Sequence, residues 1–98
     1  MTENRTRAIA SPESKPLLPR HVILRRDEVR ERWVALAPER VVVLDESSLE
    51  ILRMCDGERT IAELAGQLTK EYDAPEQVIA EDVLAFIQEW SDRMLVRL

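Results

Sequence analysis

Few residues of this chain are of a type that does chemistry, and their spacing keeps them apart. There is one histidine, His21, and one cysteine, Cys55, with no Cys-x-x-Cys pair, so the sequence assembles neither a metal cage nor a nucleophilic triad. Gly57 and Gly66 are the only glycines, too few for a phosphate-cradling loop, and Gly57 reads as a helix stop after Asp56. The paired acids Glu81 and Asp82 face mostly outward by helical phase. His21 reads as a surface residue at a strand start, and Cys55, in phase with Leu49 and Leu52, as a small core residue. No enzyme, no metal and no cofactor are expected. What remains is backbone hydrogen bonding along Arg40-Val41-Val42-Val43-Leu44, whose apolar run lacks the polar alternation of a strand wetted on one face. Both of its faces want apolar neighbours. A small domain can cover only one, so the other face, or the strand's open edge, is a natural place for a partner.

Turn and cap signals outline the elements that must hold this run. His21 to Arg26 and Arg32 to Leu36 are candidate strands, separated by the charged stretch Asp27 to Glu31; Pro38 and Glu39 form a tight turn into the third strand, Val41 to Leu44. Asp45 can cap a first helix that carries Leu49, Ile51, Leu52 and Cys55 and stops at Asp56-Gly57. Thr60 and Glu63 form a capping-box pair that starts a second helix at Ile61, with Leu64, Ala65 and Leu68 on one stripe to about Glu71. Pro75 suits the first position of a third helix running to Ser91, whose broad apolar sector holds Ile79, Val83, Phe86, Ile87 and Trp90. Val78 and Leu84 widen that sector beyond one core contact. The expected fold is α+β and winged-helix-like, a three-stranded antiparallel sheet followed by a three-helix bundle. Its domain spans 20–98, after a flexible N-terminal segment or linker over 1–19 that contains Pro12, Pro16 and Pro19. The tail Met94 to Leu98 either returns as a short strand or ends the helix.

With 98 residues and four aromatics, the chain can build one small core of mainly aliphatic side chains. It has no apolar run of membrane-spanning length, no secretory signal pattern and no internal cystine, so a soluble cytoplasmic protein is expected, without a membrane partner. Charge is uneven: residues 1–44 hold nine Lys or Arg against six acids, and 45–98 hold five against thirteen. That bias reads either as a solvated acidic surface or as a field that orients docking, through the acidic helices or the arginine-rich hairpin. A winged-helix DNA-binding regulator is the alternative with the same element order. Its reading helix would carry Glu76, Glu81, Asp82 and Glu89 without one Lys or Arg, against phosphates that need cations, so no nucleic acid is expected.

Several of these segments together resemble a known family. Pro16-Leu17-Leu18-Pro19-Arg20, Ala37-Pro38-Glu39-Arg40-Val41, Leu44-Asp45 with Ile51-Leu52, Cys55-Asp56-Gly57, Thr60-Ile61-Ala62-Glu63-Leu64 and Asp82-Val83 with Phe86-Ile87 are similar, in order and spacing, to the PqqD family of pyrroloquinoline quinone biosynthesis. The resemblance implies a RiPP recognition element, a peptide chaperone that binds the ribosomal precursor PqqA and presents it to the radical SAM enzyme PqqE. It implies that the peptide adds as a strand along the third strand, toward the third helix, with Arg40, Val41, Val42, Val43, Leu44, Asp82, Val83, Phe86, Ile87 and Trp90 as the peptide-binding residues. Core and groove stay open for each valine, and Phe86 leans toward the core. Members also occur fused to pathway enzymes, which would make residues 1–15 a linker remnant. An edge that accepts a peptide can accept a second copy, so a homodimer is a further expectation.

Overall fold

A computed structural model describes residues 7–98 of the chain. Asp27 shapes the first turn: its carboxylate accepts from the amides of Val29 and Arg30, both at 3.2 Å, and sends the chain back through Glu31 at a φ of 53°. The sheet is then β1 (Ile23–Asp27), β2 (Arg32–Ala37) and β3 (Arg40–Leu44), antiparallel in the order β1-β2-β3. β1 begins two residues later than expected because Val22 donates to the Pro19 carbonyl at 3.0 Å and lies in a turn. Pro38 and Glu39 join β2 to β3 as the sequence predicts, with Glu39 at a φ of 62°.

Pairing of Leu24 with Ala35, and of Ala35 with Val42, sets the faces. Leu24, Trp33, Ala35, Ala37, Val42 and Leu44 look toward the helices, and Ala35 is fully buried there. Ile23, Arg25, Val34, Leu36, Val41 and Val43 lie on the opposite, outer face.

Three helices cover the inner face. In α1 (Glu46–Arg53) the Asp45 carboxylate accepts from the Ser48 amide at 2.8 Å and the helix buries Leu49, Ile51 and Leu52. It stops at Met54, so Cys55 follows the helix; Gly57 next turns at a φ of 80°, where a Cβ would meet Leu17 at 3.3 Å. α2 (Ile61–Thr69) has both halves of the capping box, Glu63 amide to Thr60 hydroxyl at 3.1 Å and Thr60 amide to Glu63 carboxylate at 2.8 Å. α3 (Glu76–Asp92) has Pro75 as its N-cap, one position before the first turn. Among the described residues no helix is long and apolar enough to cross a membrane.

The part of the N-terminal segment from Arg7 to Pro19 lies on the domain; residues 1–6 lie outside the described residues. The carbonyls of Ser14 and Pro12 accept from the amides of Ile61 and Ala62 at 2.9 Å, satisfying the donors that the capping box leaves free. Pro16 accepts from Gly57 and Leu18 donates to Cys55, both at 2.9 Å, and Leu17 exchanges two bonds of 2.8 Å with Arg97. Gln88 holds the backbone of Ala8 and Ala10, and Arg7 forks onto Asp92 at 2.7 and 2.8 Å. This segment attaches mainly through its backbone, which side-chain patterning does not report. The bridge to Leu17 also decides between the two readings of the tail: it returns, with Leu95 and Val96 buried.

Met94 makes that return, in the left-handed region at a φ of 63°, with its amide on the Ser91 carbonyl and that of Leu95 on Trp90, both 2.9 Å. Its side chain is largely exposed, so Met94→Gly removes backbone strain without uncovering the core. A gain of about 0.5–1 kcal/mol is expected after the larger entropy of an unfolded glycine is counted, read as a higher midpoint of thermal unfolding. A second expectation concerns acid. The Arg30 amide holds Asp27, the Ser48 amide Asp45, the Arg59 amide Asp56 and the Arg7 guanidinium Asp92 below the usual carboxylate range. With folded pKa values depressed, this stability is present above the unfolded value of about 3.9 and is lost as pH falls through the folded ones. Urea midpoints should therefore be flat from pH 7 to 5 and drop below pH 4.

Candidate functional site

β3 is an edge strand, and the two-residue turn before it fixes which of its backbone groups are free. Ala37 and Arg40 close the turn as a bonded pair, so by the alternation of an antiparallel ladder Val42 bonds Ala35 and Leu44 bonds Trp33. The N–H and C=O groups of Val41 and Val43 point the other way, into the open edge. Among the described residues no loop or tail backbone bonds them, because the C-terminal tail is engaged with Leu17. The opposite edge, on β1, is of another kind: Arg25, Arg26 and Asp27 crowd it with charge, a usual guard against pairing.

Side chains divide by the same alternation. Val41 and Val43 stand on the outer face, 64% and 53% exposed, whereas Val42 is half-buried against the core and Leu44 is buried. Arg40 shares the inner face with Val42, and its guanidinium donates to the Arg93 carbonyl at 2.9 Å, tying the start of β3 to the end of α3. On α3, Val83 and Ile87 are 1% and 0% exposed and Trp90 is also buried; these three build the wall and present almost no surface. Phe86 is half-buried rather than core, its ring stacked on Trp90 with centroids 5.3 Å apart. Asp82 is exposed one turn before it. The Arg93 guanidinium lies 5.8 Å from the Trp90 ring and 3.7 Å from Glu89, adding a cation where strand and helix meet.

Two neighbouring surfaces were missed in the sequence. A cleft of about 540 Å³ opens at the far end of β3, lined by Trp33, Leu44, Leu49 and Arg53, with the Arg53 guanidinium 4.8 Å from the Trp33 ring. Trp33 shares the inward phase of Ala35, and that phase is the signal that could have placed it. A smaller groove of about 250 Å³ between α2 and α3, roofed by Pro12, takes up Leu84 and Ala80.

The matching family model is Coenzyme PQQ synthesis protein D (PqqD), over residues 32–96. A PqqA binding protein of Bradyrhizobium diazoefficiens is 47% identical over 83 residues, covering 85% of this chain and 81% of that protein. One from Xanthomonas oryzae pv. oryzae is 41% identical over 86 residues, covering 88% and 94%. The fold is similar to the solution NMR structure of the PqqD truncation of Methylobacterium extorquens PqqCD, a functional and stand-alone RiPP recognition element, with a TM-score of 0.77, 36% identity and 91% and 95% of the two chains covered. The crystal structure of PqqD from Xanthomonas campestris gives a TM-score of 0.57 at 39% identity, covering 90% and 98%.

The two side chains with the most latent reactivity stand outside this edge. His21 Nε2 lies 3.3 Å from the Met94 carbonyl at the surface. Cys55 is buried with its Sγ donating to the Ile51 carbonyl at 3.2 Å, and burial, then the charge of Asp56, pushes its thiol up to about 12. At pH 8 about one thiol in ten thousand is then thiolate. A disulfide exchange reagent should leave the native chain unmodified at pH 8 and titrate one thiol after denaturation.

Proposed function

The chain belongs to the PqqD family, and from that premise we propose that it binds the precursor peptide PqqA as a fourth strand on β3 and presents it to the radical SAM enzyme PqqE. The observation that carries the reading is the apolar edge at Val41 and Val43 on β3, a strand joined to the end of α3 through the Arg40 guanidinium and the Arg93 carbonyl. Two residues with outward groups offer four main-chain hydrogen bonds. At a net of about 0.5–1.5 kcal/mol each, these set register but supply little beyond the cost of association, about 4 kcal/mol or more. Affinity must therefore come from apolar burial over half-buried Val42 and Phe86 on one side, and over the exposed valines on the other. Arg40 and Asp82 are the polar groups that flank this surface. Binding of this kind asks for no nucleophile, metal or general base.

Proline separates the edge from the ladder. Val43→Pro removes an outward amide and leaves the β2 pairing in place, whereas Val42→Pro removes an inward one and weakens the sheet itself. Calorimetry with PqqA should show Val43→Pro binding about tenfold or more weakly, since a peptide carbonyl loses its donor. Its thermal midpoint should stay close to that of the parent, while that of Val42→Pro falls. Unchanged peptide affinity in a folded Val43→Pro chain would remove strand addition at this edge.

A further inference from the structure

Peptide binding at the β3 edge uses only the Val41 and Val43 border of the outer face and leaves the rest of that face without a role. Ile23, Val41 and Val43 are each more than half exposed there, around half-buried Leu36 and buried Val34. Beside them an open depression of about 660 Å³ is lined by Arg25, Arg26, Arg30 and Arg32 with a single acid, Asp27. That acid lies 3.4 Å from Arg30 and 3.9 Å from Arg32, and among the described residues no ion pair engages Arg25 or Arg26. An apolar patch beside a flank in which four arginines face one acid has the make-up of a docking surface and exceeds what scattered surface valines explain.

A second copy of the chain suits this face poorly. Placed face to face, two copies would set one group of four arginines against the other. Placed head to tail, the basic sheet would meet the acidic helices and leave one of each surface open at the ends of the pair, so a dimer would not be a closed unit.

We infer that the outer face docks a protein surface with an apolar centre and an acidic rim, carried by the enzyme that acts on the bound peptide. This rests on strand addition at β3, because an added strand widens this same face and sets every second peptide side chain on it, beside Val41 and Val43. The enzyme then meets sheet and substrate as one surface.

Arg25→Glu and Ile23→Ser change the face at β1, away from the peptide edge, and both positions are exposed. With PqqA-loaded chain and the purified radical SAM enzyme at low salt, association should slow about tenfold in the double variant, and the salt dependence of the rate should shrink. Affinity for PqqA alone, measured on the same samples, should stay within about twofold of the parent. Unchanged association of a folded, peptide-loaded variant overturns the inference alone. A parent chain that sediments as a dimer, lost in the variant, overturns it in favour of a second copy. Failure of the parent chain to bind PqqA strikes the proposed function, and this inference with it.

Discussion

Hydrogen-bond parity along β3 is the constraint on which the rest of the molecule turns. A link of two residues after Ala37 makes Arg40 the closing partner, and every later assignment follows: Val42 and Leu44 inward to β2, Val41 and Val43 outward. One residue more or less in the turn would exchange these roles and move the apolar side chains to the other face. The apolar run reads the same in either register, so the turn at Pro38 and Glu39 fixes what the strand can bind. Glu39 sits in the left-handed region to make that turn, a conformation that most residues avoid.

An edge stays open only if the chain's own segments are held elsewhere. The nearest threat is the C-terminal tail, which has the apolar content of a strand. The left-handed turn at Met94 sends it to Leu17, where two backbone bonds and the burial of Leu95 and Val96 fix it. Leu17 is available because the segment from Arg7 to Pro19 is itself seated, with its carbonyls on the first amides of α2 and on Gly57. The seat depends on α2 having donors to spare and on Gly57 admitting the Leu17 side chain at close range. Capping, N-terminal segment and tail are thus one arrangement, and it keeps the tail bonded to Leu17 rather than to β3.

Local physics made most of the fold legible before any coordinates. Asp45, the Thr60 and Glu63 pair, and Pro38 act within four residues of themselves, so the sequence displays them whole, and the elements they start lie within a residue or two of expectation. The N-terminal segment was opaque because it binds mainly through backbone amides and carbonyls, and Pro12, Ser14 and Pro16 announce no apolar phase. The site was half legible. The run Val41 to Leu44 marked the strand, but which valine faces which way needs the ladder. On α3 a sector spanning Ile79 to Trp90 is too broad for phase alone to separate Val83 and Ile87, which fill the core, from Phe86, which keeps surface. The phase of β2 turns Trp33 inward, but the cleft beside it needs Arg53 from a different element.

The two faces of the sheet also differ in charge, and this bears on how a bound strand would be read. On the proposed strand addition, an inward peptide side chain in phase with Val42 would lie on the helix side of the sheet, with Arg40 and the Arg93 carbonyl at one end of β3. An outward one in phase with Val41 or Val43 would lie on an open surface whose cations are on β1 and the first turn. The inward set would thus be the one placed against the helices, where shape and burial select, while the outward set would stay wet. An extended ligand has a period of two, and the division is therefore enforced along its whole paired length. On that proposal, residues that fix identity and residues left accessible to another protein would alternate, and a shift of one position in register would exchange them.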